Sequence, residues 1–216
     1  MRRPKEIIRV PTGVQGLDTR MEGGFPLGGV VGVSGASGSG KTLLALRFLL
    51  EGARKGEKGV CIMLEEPREN LERHFTSLSF GQELADYEKS GKLRFLSFTY
   101  EDYEAVYKEL FHKIVEDKKT RRLVIDSFNG ILAYQEPLQS KKLISESFLA
   151  FRRQNLTSLV VLEREGTLHQ FDKPILNMID GEIRLSDRKM SIAKMRWTDI
   201  QLDSVPFKLG RSGFEA

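Results

Sequence analysis

Only one cysteine, Cys61, occurs among the 216 residues. It sits inside an apolar run, so a disulfide framework is excluded and no thiolate pair exists to hold a metal. A reducing, cytoplasmic setting is the expectation. No apolar stretch approaches the ~18 residues of a spanning helix, so no membrane partner is expected. The opening "MRRPKEIIRVP" carries charge without a following hydrophobic region, and a secretory signal is not expected. The three histidines, His74, His112 and His169, stand apart and form no metal constellation. Low-complexity segments, long linkers and internal repeats are also missing.

Charge of one sign is scarce as well. Thirty-four basic residues against 30 acidic ones leave a net charge of +4, dispersed along the chain. Such a balance implies weak or no binding to nucleic acid. The basic stretch "KKTRR" (118–122) reads as a solvated loop, and Phe98, Tyr100, Tyr103 and Tyr107 as packing residues rather than base-stacking ones. The interspersion of both signs, at 30% charged residues, is the pattern of a thermophilic source.

What is present is a regular alternation. "GGVVGVSG" (28–35) reads as a strand and "KTLLALRFLLEGARKG" (41–56) as a helix closed by glycine. "GVCIML" (59–64) is the next strand, and residues 67–89 carry one helical pattern. Strands follow at 92–98, 121–127 and 156–163, with helices at 101–119 and 142–155 between them. Beyond these, "GEIRLSD", "KMSIAKMRW" and "VPFKLG" are short and turn-separated, as in an antiparallel meander. The expected architecture is one α/β domain over residues 1–216. Its sheet is mostly parallel with helices on both faces, and a C-terminal antiparallel strand meander completes it.

"GASGSGKT", Gly35 to Thr42, fits G-x-x-x-x-G-K-[ST] and lies between a predicted strand and a predicted helix. Gly35, Gly38 and Gly40 let the backbone wrap closely around a phosphate. The N–H groups of Ala36, Ser37, Ser39 and the helix start, through Leu43, then face the anion. Lys41 sets a cation against the β- and γ-phosphates, and the Thr42 hydroxyl is a magnesium ligand. "RRLVIDS" ends a strand in Asp126, the acid that such a magnesium site requires. The motif predicts binding of ATP or ADP with Mg²⁺.

"CIMLEEP" (61–67) ends a strand that is apolar on both faces in two adjacent carboxylates, Glu65 and Glu66. Uncompensated buried charge costs several kcal/mol. Ligands in parallel sheets bind beyond the carboxyl ends of the strands. If this strand lies between the phosphate-loop strand and its neighbours, the pair reaches the nucleotide and reads as catalytic, taking a proton from the attacking water. The alternative is a strand end that simply reaches solvent.

The segment "TGVQGLDTRMEGGFPLGG" (12–29) resembles the opening of RecA/RadA/KaiC-type ATPases, and "EEPRENLERHFTSLSF" (65–80) is similar to the helix after the paired glutamates in KaiC-like proteins. Within that helix Leu71 and Ser77 match, while His74 stands where an asparagine is usual. "KMRWTD" (194–199) resembles the family's Lys-Met-Arg-Gly-Thr segment, with Lys194, Met195, Arg196 and Thr198 matching and Trp197 replacing glycine. The resemblance implies a RecA-type core that hydrolyses ATP and a homo-oligomeric, hexameric ring. It also implies that Ser77, Met195 and Thr198 bind nucleotide, and that Lys194 and Arg196 act on the γ-phosphate of a neighbouring subunit's ATP. Val160-Val161-Leu162 before Glu163 replaces the polar sensor usual at that strand's end, which implies slow hydrolysis. Two other readings stay open: a recombination paralogue acting on DNA, and a non-hydrolysing nucleotide-sensing scaffold. Recombinases carry a DNA-contacting loop where "GTLHQFDKP" (166–174) stands, a short segment of mixed charge here.

Overall fold

The computed structural model of the chain describes residues 6–64, 66–99, 114, 117–128, 137–163, 172–201 and 203–216. Strands β3 (Val30–Gly35), β4 (Lys58–Leu64), β5 (Leu93–Phe98), β6 (Thr120–Asp126), β7 (Thr157–Glu163) and β8 (Gly181–Ser186) run parallel. β9 (Lys189–Met195) and β10 (Val205–Pro206) extend the sheet antiparallel, in the order β10-β9-β8-β3-β7-β6-β4-β5. A short pair, β1 (Arg9–Val10) with β2 (Phe25–Pro26), and a hairpin, β11 (Lys208–Gly210) with β12 (Gly213–Glu215), lie outside that sheet. Helices are α1 (Gln15–Arg20), α2 (Lys41–Arg54), α3 (Arg68–Ser77), α4 (Gly81–Lys89), α5 (Pro137–Arg153) and α6 (Asp172–Met178).

The near-continuous apolar strands follow from burial on both faces. Alternate residues feed two separate cores. Val31, Val33, Cys61, Met63, Val124 and Val161 join one with α2 to α4, through Leu44, Phe48, Leu71 and Leu84. Val30, Val60, Ile62, Ile125, Val160 and Leu162 join the other with α5 and α6, through Ile144, Phe148, Phe151 and Ile175. Each side chain in that alternation faces helix, so a polar residue inside these strands needs a specific partner. Ser34 finds one, donating to Glu182 Oε1 at 3.0 Å.

Several expectations are corrected. β4 does not adjoin β3: the crossover through α2 passes two strand positions, which β6 and β7 later fill. The helical pattern over 67–89 is two helices. Leu78 is extended, with φ −97° and ψ 140°, and Ser79 N–H donates to Arg211 O at 2.7 Å, so the C-terminal hairpin captures the break. β8 is parallel to β3 and turns antiparallel only at β9, so the meander begins one strand later than its composition implied. "VPFKLG" divides between β10 and β11, which belong to different sheets, and α6 was not foreseen. The predicted helix over 101–119 lies almost wholly outside the described residues, as do Tyr100, Tyr103, Tyr107, His112 and His169.

Candidate active site

Loop 35–40 leaves β3 and enters α2 at the carboxyl edge of the parallel strands. Gly40 caps α2 in the left-handed region at φ 98°, and a Cβ there would meet Leu209 Cδ2 at 2.6 Å. Leu209 belongs to the β11–β12 hairpin, so the C-terminus of the chain props the loop. Gly38, at φ +72°, has nothing within 4 Å of a would-be Cβ, which leaves the outer side of the loop open. The Ser39 hydroxyl is buried without a hydrogen-bond partner.

Lys41, the first residue of α2, donates to Gly35 O at 2.9 Å and Ala36 O at 2.7 Å. Its neighbour Thr42 donates from Oγ1 to Asp126 Oδ2 at 2.7 Å. Burial pushes the Asp126 carboxyl above its ordinary value, the Thr42 hydrogen bond opposes the shift, and the Glu66 charge adds to it. The site therefore concentrates acid at the edge where a cation would bind.

Glu66 follows β4, and His74 on α3 places Nε2 3.2 Å from Glu66 Oε1. That hydrogen bond raises the His74 pKa above its ordinary value against partial burial. A cleft of about 490 Å³ joins the loop to these groups, lined by Lys41, Thr42, Glu66, His74, Asp126 and Glu163 among others. Glu65 lies outside the described residues.

Asn70, His74 and Glu163 are cleft residues that sequence reasoning missed. Asn70 and His74 are four apart on α3, so one helical face presents both. Glu163 pairs with Gly35 in the β3–β7 register, which brings the end of β7 beside the loop. Its signal was the strand-terminal position itself, read as the loss of a polar sensor.

The remaining predicted residues lie elsewhere. The Ser77 hydroxyl donates to His74 O at 2.9 Å at the end of α3, and Ser77 is not among the described residues lining the cleft. Lys194, Met195, Arg196 and Thr198 lie at the amino edge of the parallel strands. Met195 pairs with Gly181, which pairs with Val31 near the start of β3. Gly35 is four residues further along, roughly 13 Å at ~3.3 Å per residue. A bulge opposite Glu182/Ile183 breaks the alternation of β9, so Met190, Ile192 and Met195 all turn inward. Met195 is therefore a core side chain, and Lys194 turns outward.

Lys194 Nζ donates to Leu176 O at 3.0 Å and Ile179 O at 2.6 Å, and burial together with the Arg196 charge pushes its pKa down. Arg196 donates to Asp180 Oδ1 and Asn177 O, both at 3.3 Å. Both cations thus gather at the C-terminus of α6, where helix carbonyls favour positive charge. Asp180 also accepts from Arg152 Nε and Val30 N–H at 3.0 Å, tying this cluster to the start of β3.

The sequence profile described as "ATPase: KaiC" matches residues 10–215. This chain belongs to the KaiC ATPase family. It is 28% identical to the circadian clock protein KaiC3 of Synechocystis, over 94% of this chain but only 44% of that protein's length. It is 27% identical to a UPF0273 protein of Thermotoga maritima, covering 96% of this chain and 95% of that one. Among solved structures, a KaiC-like protein of Pyrococcus horikoshii superposes with a TM-score of 0.83 at 29% identity, covering 97% of this chain and 99% of that chain. The fold is thereby the RecA-type core of KaiC-like proteins. No helix among the described residues is long and apolar enough to cross a membrane.

Proposed function

We propose that this KaiC-family chain binds Mg²⁺–ATP on loop 35–42 and hydrolyses it, with a neighbouring copy completing each site in a head-to-tail ring. The observation that carries the reading is the 2.7 Å Thr42–Asp126 hydrogen bond beside Lys41, at the carboxyl edge of the sheet. The donor set fits: hydroxyl and carboxylate oxygens are hard ligands suited to magnesium. The open side of Gly38 and the unpartnered Ser39 hydroxyl fit an anion seated against the loop. Bound magnesium would neutralise charge on the β- and γ-phosphates.

The chain's own groups then divide the work. Lys41 exchanges its loop carbonyls for phosphate oxygens, a stronger charge-assisted partner. Glu66 takes the proton of the water attacking the γ-phosphorus as the bond to the bridging oxygen breaks and ADP leaves. His74 holds the Glu66 carboxylate in orientation. Lys194 and Arg196 stand roughly one strand length from their own loop, too far to serve it. Across a head-to-tail contact the same cations meet a neighbour's γ-phosphate, as an arginine finger does.

Mixing two inactive variants tests this. Arg196→Ala subunits combined with Glu65→Gln/Glu66→Gln subunits create some interfaces where an intact finger faces an intact site, so part of the turnover returns. Turnover that stays absent in the mixture, with both variants folded and assembled, overturns the shared site.

A further inference from the structure

Trp197 is the one tryptophan of the chain, and it occupies an awkward position. Its backbone sits in the left-handed region at φ 58°, which bulky side chains rarely enter. Its side chain is not repaid by burial, being 57% exposed. The turn that holds it is fixed from both sides. Arg9 donates to Trp197 O at 2.8 Å and to Thr198 Oγ1 at 2.7 Å, and Arg196 N–H is bonded to Asp180 O at 2.8 Å. A strained, rigidly mounted and exposed aromatic is costly to the isolated subunit and suits a contact made elsewhere.

Its surroundings indicate which contact. Ile8 and Leu27, joined by a backbone hydrogen bond, are exposed beside Arg9, so apolar surface extends around the turn. Arg196 and Lys194 flank it with positive charge. At the opposite edge of the sheet the cleft carries Glu66, Asp126 and Glu163, with Leu43 and Leu209 presenting partly buried apolar surface near the loop. The two edges are complementary in charge and both carry apolar surface. They are different surfaces, so pairing them is heterologous.

We infer that Trp197 is the anchor by which one copy of this chain docks on the cleft rim of the next, packing its indole against Leu43 and Leu209 as Lys194 and Arg196 enter the cleft. This rests on the shared-site reading of ATP hydrolysis and names the residue that gives the contact its affinity. A central aromatic of this kind is the usual hot spot of a protein interface. The left-handed turn is what aims the indole outward.

The full chain supplies its own probe. Tryptophan emission and sedimentation are followed together as protein concentration rises, with and without Mg²⁺–ATP, for the wild type, and sedimentation alone for Trp197→Gly and Trp197→Ala. Wild-type emission shifts to the blue in step with assembly. Trp197→Gly assembles about 30-fold or more weakly, while its Tm is unchanged or raised because glycine relieves the left-handed strain. Trp197→Ala weakens assembly likewise without that relief. Assembly with unshifted emission, or a glycine variant that assembles as well as wild type, overturns the docking while leaving the ATP reading intact. Assembly with a blue shift but no binding of Mg²⁺–ATP keeps the docking and removes the ATP reading. A chain that stays monomeric throughout overturns the docking and the shared site together, while ATP binding to the loop is tested separately by titration.

Discussion

His74 Nε2 lies 3.2 Å from Glu66 Oε1, so the proposed base is held from α3 in the cleft that Lys41 also lines. The bond raises the His74 pKa above its ordinary 6.5. A group whose pKa rises on folding stabilises the fold fully below its unfolded value and loses that contribution as pH climbs through the folded one. Wild-type Tm should therefore decline from about pH 6.5 upward through the raised value, and His74→Asn should flatten that part of the curve. Parallel Tm–pH curves for the two proteins would show that the pair contributes nothing.

Asp126 carries the opposite tension. Its ionised form is disfavoured by burial and by Glu66, and only partly relieved by the Thr42 hydroxyl. Asp126→Asn keeps an oxygen for Thr42 and removes the buried charge. Melting without nucleotide at neutral pH should show a higher Tm for the variant, while titration with ATP should show its magnesium dependence lost. A lower Tm, or magnesium dependence equal to wild type, is inconsistent with a strained metal-binding carboxylate.

Away from the site, a buried arginine of β6 fixes α2 against that strand, so residues 120–122 are not the solvated loop expected of "KKTRR". Arg122 is fully buried, donates to Glu57 Oε2 at 2.5 Å and to Phe48 O and Pro11 O at 2.7 Å, and stacks 4.6 Å from the Phe48 ring centroid. A Cβ on Gly52 would lie 2.3 Å from Arg122 Nε. Gly52→Ala should therefore destabilise the fold by about 1–3 kcal/mol, the usual cost of overpacking. Denaturant melts matching wild type would show that Arg122 can move aside freely.

The strand-loop-helix unit at 30–54 was legible because its chemistry is contiguous: an apolar strand, glycines at fixed offsets, Lys41 and Thr42 at the helix start. Asp126 was legible only beside the phosphate loop, because many strands end in an acid and the loop alone says that a magnesium ligand is needed. What could not be read depended on pairing between distant segments. The order of β4 relative to β3, and the arrival of Glu163 beside Gly35, are set by parallel registers that leave no local trace. The break between α3 and α4 was hidden because apolar residues continue through Leu78 and Phe80, although Phe80 lies against Gly213 of the C-terminal hairpin. His74 looked isolated in sequence, and only the path of α3 brings it to Glu66.

The central claim is that loop 35–42 holds Mg²⁺–ATP through Lys41. Isothermal titration of ATP into wild type and Lys41→Ala, each with magnesium and with the metal chelated, addresses it most directly. The account predicts binding by wild type that weakens without magnesium, and a loss of roughly 10- to 100-fold in affinity for Lys41→Ala, the worth of a charge-assisted contact. Titrations of wild type and Lys41→Ala that coincide would contradict it.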